Sequence, residues 1–558
     1  MELTLLESIC ILLSGLAIFL LGMKNMGDGL QRSAGVRIRK MFSKLSNKGF
    51  VMYGLGAGTT ALVQSSGATV IMSMGFVAAG MMTSIQAGAF ILGARLGTTI
   101  TGVLVSLSSF SITPIIMALA VVGVGFLIFA KNNEPLQIAG TIITGFGILF
   151  VGMYLMKISI NSNVEMTTFF TNTFKTLSNP FLLFLLGIVF TALLQSSSSV
   201  SSICIVMVTA GTLSVESGMC ILIGATVGTC FTPLVASVGA RLGARKAALF
   251  DLFSAIIGAI VIGVPVLLLR SYIYLGFKAI ISSGAWQLSL FGVAYSLVAS
   301  LVLLPFVKPI TKLVDKILKE KKTSGFSFYY IDEKFIKSPA VAVAQAKSEV
   351  ANLGKLAKAN LDRAVNALIS EDLSEKDVIG KSEEEIDFLT KSISDYLIKL
   401  AGEKLNITDE NFIGSLHHVI DDLERIGDHA WDFYKEAKKM KKEDLHFTDS
   451  AKEEIKSLKV MVDELYESAM DVFISRNEGL LREVNVREAL IDASKKEFAD
   501  SHVKRLAAGE CSVETGTFFY TAIASLERIG DHLENVAFSI KSATGYNDEK
   551  QVAVNKKQ

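Results

Sequence analysis

A chain of 558 residues with a mean hydropathy of +0.47 is too apolar for an ordinary soluble enzyme, yet 19% of its residues are charged, so the apolar residues must be segregated. Residues 1–306 hold 16 Lys/Arg and 7 Asp/Glu, a net +9, whereas residues 307–558 hold 38 and 46, a net −8. Neither part carries a concentrated basic stripe with interleaved aromatics, which sets nucleic-acid binding aside, and the five cysteines show no CxxC spacing that would indicate a disulfide framework or a zinc knuckle.

The N-terminal MELTLLES has two acids and no basic region before its hydrophobic run, so the first apolar segment is expected to be a permanent span and not a cleaved signal. A span takes about 20 mostly apolar residues to cross roughly 30 Å of hydrocarbon. Segments 8–30, 86–108, 114–130, 138–158, 216–238, 247–268 and 286–306 qualify approximately. Residues 50–80 and 180–214 are also apolar, but each is interrupted by a polar cluster, Gln64-Ser65-Ser66 and Gln195-Ser196-Ser197-Ser198-Ser199. A continuous span does not place such a cluster at its middle.

The two halves of this region repeat. Thr60-Ala-Leu-Val-Gln-Ser-Ser66 lies 131 residues before Thr191-Ala-Leu-Leu-Gln-Ser-Ser197, and the same offset carries Gly93, Gly97 and Thr98 of GARLGTT onto Gly224, Gly228 and Thr229 of GATVGTC. An offset of 130 carries Gly22-Met23-x-x-Met26 onto Gly152-Met153-x-x-Met156. The loop 31–49 has Arg32, Arg37, Arg39, Lys40, Lys44 and Lys48 without an acid, whereas its counterpart 159–179 has only Glu165 and Lys175, so the positive-inside rule places equivalent loops on opposite sides. Arg241, Arg245, Lys246, Lys308 and Lys312 fall inside on the same count. The polar-interrupted stretches then contribute an even number of crossings, as re-entrant hairpins do.

Inverted repeats with broken helices at mid-depth are the architecture of secondary transporters. A helix break in the membrane is tolerated where it lines a polar cavity. There, helix N-termini favour an anion, and free carbonyls and hydroxyls suit sodium. Paired QSS motifs, each followed by GxxxGT, resemble the type II sodium-phosphate cotransporter family over essentially residues 8–306. That resemblance implies that phosphate and sodium bind where the two hairpins meet, at Gln64, Ser65, Ser66, Gln195, Ser196, Ser197 and Ser198, with Thr98, Thr99 and Thr229 nearby. The family pattern GxNxGTT is broken here: Arg95 and Thr226 stand at the Asn position, and Cys230 replaces the second Thr of the later copy. A guanidinium cannot ligate sodium, so Arg95 either contacts the anion or pairs with a carboxylate, for which Asp251 is available. The glycines of GARLGTT serve equally well to let helices approach. Asp28, near the cytoplasmic end of a span, is expected to snorkel or cap. No histidine precedes His417, which favours sodium over proton coupling.

Residues 307–338 read as a basic, then aromatic, linker. From Ser338-Pro339 the apolar spacing of Val350, Leu353, Leu356, Leu361, Val365 and Leu368 indicates packed helices. This part repeats as well: Leu423 to His429, LERIGDH, recurs as Leu526 to His532, and Glu383 and Asp387 recur 105 residues later as Glu488 and Asp492. Two three-helix bundles are the simplest architecture. The duplicated motif resembles the PhoU family over about residues 339–543, with a tail at 544–558. The pairs Glu383/Asp387, Glu424/Asp428, Glu488/Asp492 and Glu527/Asp531 each share a helix face, and the resemblance implies a divalent-metal site built from them. Arg425 and Arg528 offer the alternative of salt-bridged faces.

The expected molecule is thus an all-α polytopic membrane protein. Residues 1–306 form the transport domain, with repeats at about 8–130 and 138–268 and an extra span at 286–306, followed by a cytoplasmic PhoU-like domain. The expected function is sodium-coupled transport of inorganic phosphate across the plasma (inner) membrane, in contact with lipid and with scope for homo-oligomers. The alternatives are a phosphate-sensing receptor or scaffold and a carrier of another oxyanion. No nucleophile, base and orienter constellation points to an enzyme.

Overall fold

The computed structural model describes residues 4–42, 48–107, 113–129, 133–177, 179–318, 325–403, 405 and 407–542. Asn47, the side chains of Arg37, Arg39, Lys40, Lys44 and Lys175, and the tail 544–558 lie outside the described residues. All regular structure among the described residues is helical, and the chain divides into two compact units, 1–321 and 322–558.

The first unit opens with α1 (Leu5–Phe42), α2 (Gly49–Val63), α3 (Ser66–Ala78), α4 (Ser84–Ser106) and α5 (Thr113–Phe129). The second repeat has α6 (Glu134–Asn161), α7 (Val164–Thr176), α8 (Pro180–Leu194), α9 (Ser197–Thr209), α10 (Val215–Gly228) and α11 (Phe231–Ser237). After these come α12 (Leu242–Gly258), α13 (Val264–Leu268), α14 (Arg270–Ile280), α15 (Gly284–Leu303) and α16 (Val307–Ile317).

Among the described residues six stretches are long and apolar enough to cross a membrane: Leu5–Leu30, Ser84–Ser106, Pro135–Asn161, Val215–Ser237, Leu242–Leu268 and Gly284–Ile317. The seventh segment expected from the sequence, 114–130, forms α5, an apolar helix of 17 residues. Its 17 described residues stand at the lower end of the length that crosses a membrane. Residues 307–317, assigned to the linker from their charge, form α16, which buries Val307, Ile310 and Val314 in the first unit.

Both polar clusters break their helices in the same way. Gln64 and Gln195 adopt left-handed backbone conformations, φ 57° and 53°, at the ends of α2 and α8. Ser65 and Ser196 then sit in extended conformation as N-caps of α3 and α9 and accept hydrogen bonds from Ala68 N and Ser199 N, each at 3.2 Å.

Glycines set the helix pairings. A Cβ on Gly56 would meet the Phe90 carbonyl, and one on Gly93 the Tyr53 carbonyl, where α2 lies against α4. Gly187 and Gly224 stand in the same relation to Ile221 and Phe184 where α8 lies against α10. The packing reading of the GxxxG motifs therefore holds for their glycines. Along α1 and α6, Gly15 meets Gly152 while Gly22 meets Gly145 and Leu149, so numbering rises on one helix as it falls on the other and the two run antiparallel. The contact is reciprocal under the repeat: Gly22 faces Leu149 as Gly152 faces Phe19.

The copies differ where the sequence differs. Helix α4 is continuous, whereas its counterpart is interrupted at Thr229-Cys230, between α10 and α11. Pro233, four residues after Thr229, has no N–H to offer its carbonyl and would clash with it. The position one repeat earlier is Gly102.

The second unit comprises α17 (Pro339–Ser370), α18 (Lys376–Ala401), α19 (Ile407–Lys442), α20 (Asp449–Ser475), α21 (Leu481–Ala507) and α22 (Val513–Ser542). Helices α17–α19 and α20–α22 pack as two three-helix bundles around one shared hydrophobic core. Charged pairs cross between the bundles: Lys358 on α17 meets Asp463 on α20 at 2.9 Å, and Lys459 on α20 meets Asp362 on α17. Ahead of α17, the fully buried Glu349 carboxylate accepts the backbone N–H groups of Tyr329, Tyr330 and Ile331, which ties the aromatic segment to this unit.

Candidate functional site

The first helical residues of the two broken hairpins, Ser66 of α3 and Ser197 of α9, line one cavity. Two helix N-termini, each with unpaired backbone N–H groups and the positive end of a helix dipole, thus face a common space. Arg95, Thr98 and Thr99 of α4 and Thr229 at the end of α10 line it too. Of the site residues expected from the sequence, Ser66, Arg95, Thr98, Thr99, Ser197 and Thr229 are brought together here.

The remaining motif residues shape the breaks. Ser65 and Ser196 use their hydroxyls as caps, and Ser196 Oγ also meets Ser198 Oγ at 3.1 Å and Ser199 Oγ at 2.7 Å. Gln64 donates from Nε2 to the Ala61 carbonyl at 2.5 Å and accepts at Oε1 from Thr101 Oγ1 at 2.8 Å, which holds the left-handed turn against α4. Gln195, its counterpart, is exposed, and Ser198 is buried against the cap. None of these five lines the cavity; at Ser65 and Ser196 this is because a cap residue turns its side chain back onto its own helix.

Several lining residues carry no motif. Ser201 of α9 follows Ser197 at helical spacing, and α15 adds Ser289, Tyr295 and Ser296. Ser289 Oγ is buried and has no hydrogen-bond partner, so its hydroxyl is available to a ligand. The repeat comparison could not reach α15, which has no counterpart in the other half; only its hydroxyl-bearing face, with Ser289 and Ser296 two turns apart, gave a signal.

Arg95 is paired. Its Nη2 donates to Asp251 Oδ1 at 2.7 Å, to the Asp251 carbonyl at 2.5 Å and to Ser254 Oγ at 3.0 Å, with Cys230 Sγ at 3.8 Å. The carboxylate partner foreseen as one of two alternatives is therefore present, and Arg95 still borders the cavity. Among the described residues, Arg95 and Asp251 are the only charged ones that line it.

In the second unit the carboxylates of the two motif copies are grouped but not alike. In the first copy Glu383 is pushed up to about 7, by burial first and then by the neighbouring Asp387, Asp428 and Glu424. Its Oε2 is buried without a hydrogen-bond partner. In the second copy burial and Asp492, Glu534, Asp531 and Glu527 raise Glu488. There Lys495 Nζ meets Glu527 at 2.8 Å, neutralising part of the cluster. Arg425 approaches Asp428 at 3.5 Å with both side chains exposed. Among the described residues no three His, Cys, Asp or Glu side chains converge closely enough to hold a metal ion. The orphaned Glu383 oxygen amid three further carboxylates nonetheless suits a hard divalent cation better than the Lys-bridged second copy does.

Comparison with known proteins places these two units. Residues 18–158 and 164–292 match the profile described as Na+/Pi-cotransporter, and residues 350–437 and 455–540 match the PhoU domain. The chain is 24% identical over 548 residues to Escherichia coli (strain K12) YjbB, provisionally named an inorganic phosphate export protein, covering 95% of this chain and 96% of that one. It is 30% identical over 194 residues to a PhoU homolog of Clostridium acetobutylicum named as a phosphate-specific transport system accessory protein, covering 34% of this chain and 87% of that one. The crystal structure of PhoU from Pseudomonas aeruginosa aligns with a TM-score of 0.35 at 23% identity, over 37% of this chain and 98% of that one.

Proposed function

Because this multi-pass membrane protein belongs to the Na+/Pi-cotransporter family and carries PhoU domains behind its transport unit, we propose that it moves inorganic phosphate coupled to sodium, under the control of its second unit. The observation that carries the reading is the meeting of the Ser66 and Ser197 helix N-termini in one hydroxyl-lined cavity. Backbone N–H groups and serine hydroxyls donate to a phosphate oxygen, and the same hydroxyls and the threonines of α4 and α10 offer oxygen to sodium. The transport unit is read as two repeats of opposite orientation with re-entrant breaks, in the plasma (inner) membrane with the second unit cytoplasmic. The antiparallel, reciprocal contact of α1 with α6 supports that orientation. In the second unit, Glu383, Asp387, Glu424 and Asp428 would hold a divalent cation only by drawing closer together than they stand here, the cation supplying positive charge to a cluster that is otherwise self-repelling.

The export name of the relatives that span the whole chain favours a second reading, in which the net flux is outward. One experiment tests the coupling to sodium: labelled phosphate is followed in proteoliposomes with a sodium gradient of either direction, or none. Inward flux driven by an inward sodium gradient is the expected result. Flux that ignores sodium removes the coupling, and absence of flux leaves a receptor or scaffold.

A further inference from the structure

The Arg95 and Asp251 pair holds more donors than it uses. A guanidinium presents five N–H donors in a fork that suits two parallel bonds to an oxyanion. Every bond that Arg95 makes runs through Nη2, and all but the Cys230 contact end on the α12 turn of Asp251 and Ser254, so Nε and Nη1 are unengaged on a side chain bordering the cavity. Asp251 is only 2% exposed. Were Arg95 to leave it, a buried carboxylate would stand uncompensated, at a cost of several kcal/mol. The surroundings could meet that cost with a small cation: the Asp251 carboxylate and carbonyl and Ser254 Oγ are hard oxygen ligands already converging on one point, the Nη2 position.

We propose that Asp251 is a sodium site whose occupant alternates with the Arg95 guanidinium. In the empty cavity Arg95 fills the site as a tethered cation. Phosphate entering between Ser66 and Ser197 draws the guanidinium toward itself, and sodium takes the place that Nη2 vacates on Asp251, Ser254 and the Asp251 carbonyl. Charge balance gives the direction. With one cation and one anion the empty cavity is neutral, so an arriving anion leaves it negative until a second cation enters. Phosphate and sodium then bind better together than apart, and by linkage each strengthens the other equally. This inference rests on the cavity being the phosphate site.

The test uses the full chain purified in detergent, titrated with labelled inorganic phosphate in sodium or in an equal concentration of choline, with melting followed in parallel. For the wild type, sodium should tighten phosphate binding roughly tenfold or more, within the usual range of coupling between sites. Asp251→Asn should reduce that sodium effect to about twofold or less, because the amide no longer calls for a cation. Arg95→Gln, which leaves Asp251 without its tethered cation, should bind sodium with no phosphate present, seen as a sodium-specific rise in melting temperature, and the double variant should lose that rise. Should Asp251→Asn fail to fold around an unpaired Arg95, the double variant takes its place, and its phosphate affinity must be indifferent to sodium. A folded Asp251→Asn protein with the wild-type sodium effect overturns the inference, as does an Arg95→Gln protein whose melting ignores sodium. Wild-type phosphate binding that is the same in choline would instead remove sodium coupling altogether, and this site with it.

Discussion

Ser66 and Ser197 stand at the first positions of α3 and α9 with their side chains toward the cavity, while Ser65 and Ser196 close the helix ends one residue earlier. The neighbouring serines of each motif thus have different work. Ser66→Ala and Ser197→Ala should raise the phosphate or sodium concentration needed for half-maximal transport while leaving melting near the wild-type value. Ser65→Ala and Ser196→Ala should instead lower stability by about 0.5–2 kcal/mol, the usual loss for a cap. Transport kinetics and melting on the same four proteins check the division, and equal effects across each pair would erase it. In the second unit the residue to watch is Glu383, whose carboxyl is pushed up to about 7 from an ordinary value near 4.5 by burial and its acidic neighbours. The folded state holds a proton between those values that the unfolded chain has released, so local stability declines as pH rises from about 4.5 to 7. Glu383→Gln removes the titration. Hydrogen exchange of α18 and α19 amides in the full chain should therefore show little difference between variant and wild type at pH 5 and greater protection in the variant at pH 8. A divalent cation at pH 8 should protect the wild type and not the variant.

At the scale of elements, the pairing of α2 with α4 and of α8 with α10 depends on glycines that leave no room for a side chain. Gly56→Ala, Gly93→Ala, Gly187→Ala or Gly224→Ala must push the backbones apart, with an expected loss of about 1–3 kcal/mol as for other overpacked sites. Thermal unfolding checks this, and Gly54→Ala, whose Cβ would meet nothing within 4 Å, is the control. The α4 and α10 sides of these seams were legible because the GxxxG spacing occurs twice, and so were the helix breaks, since a polar QSS cluster inside an apolar run has no place in a continuous span. The split of one motif into cavity serine and cap serine was not, because both are serines and only the phase of the following helix distinguishes them. The ion pair of Arg95 with Asp251 was foreseen only as one option, since it joins residues 156 apart whose proximity depends on how α4 and α12 cross. The contribution of α15 lay beyond the repeat altogether.

Across the whole transport unit, the repeat makes a statement about orientation that loop charge makes independently. Helices α1 and α6 occupy equivalent places in the two copies and run antiparallel, with Gly22 against Leu149 and Gly152 against Phe19. If α1 crosses the membrane in one sense, its counterpart crosses in the other, and the loop after each emerges on opposite faces. The basic loop that includes Asn47 and the one that includes Arg245 should then be cytoplasmic, and Asn161, at the end of α6, and Ser282, between α14 and α15, should be external. Cysteines placed one at a time at these four positions report it, after replacement of the five native cysteines, of which Cys10 is exposed and Cys511 partly so. In intact cells an impermeant maleimide should label positions 161 and 282 and spare positions 47 and 245 until the membrane is opened. Labelling of positions 47 and 161 from the same side would contradict both arguments at once, since it would require equivalent loops of antiparallel helices to share a face. Sparing of position 282 alone would leave the inversion standing and alter only the passage of the chain through α12 to α14.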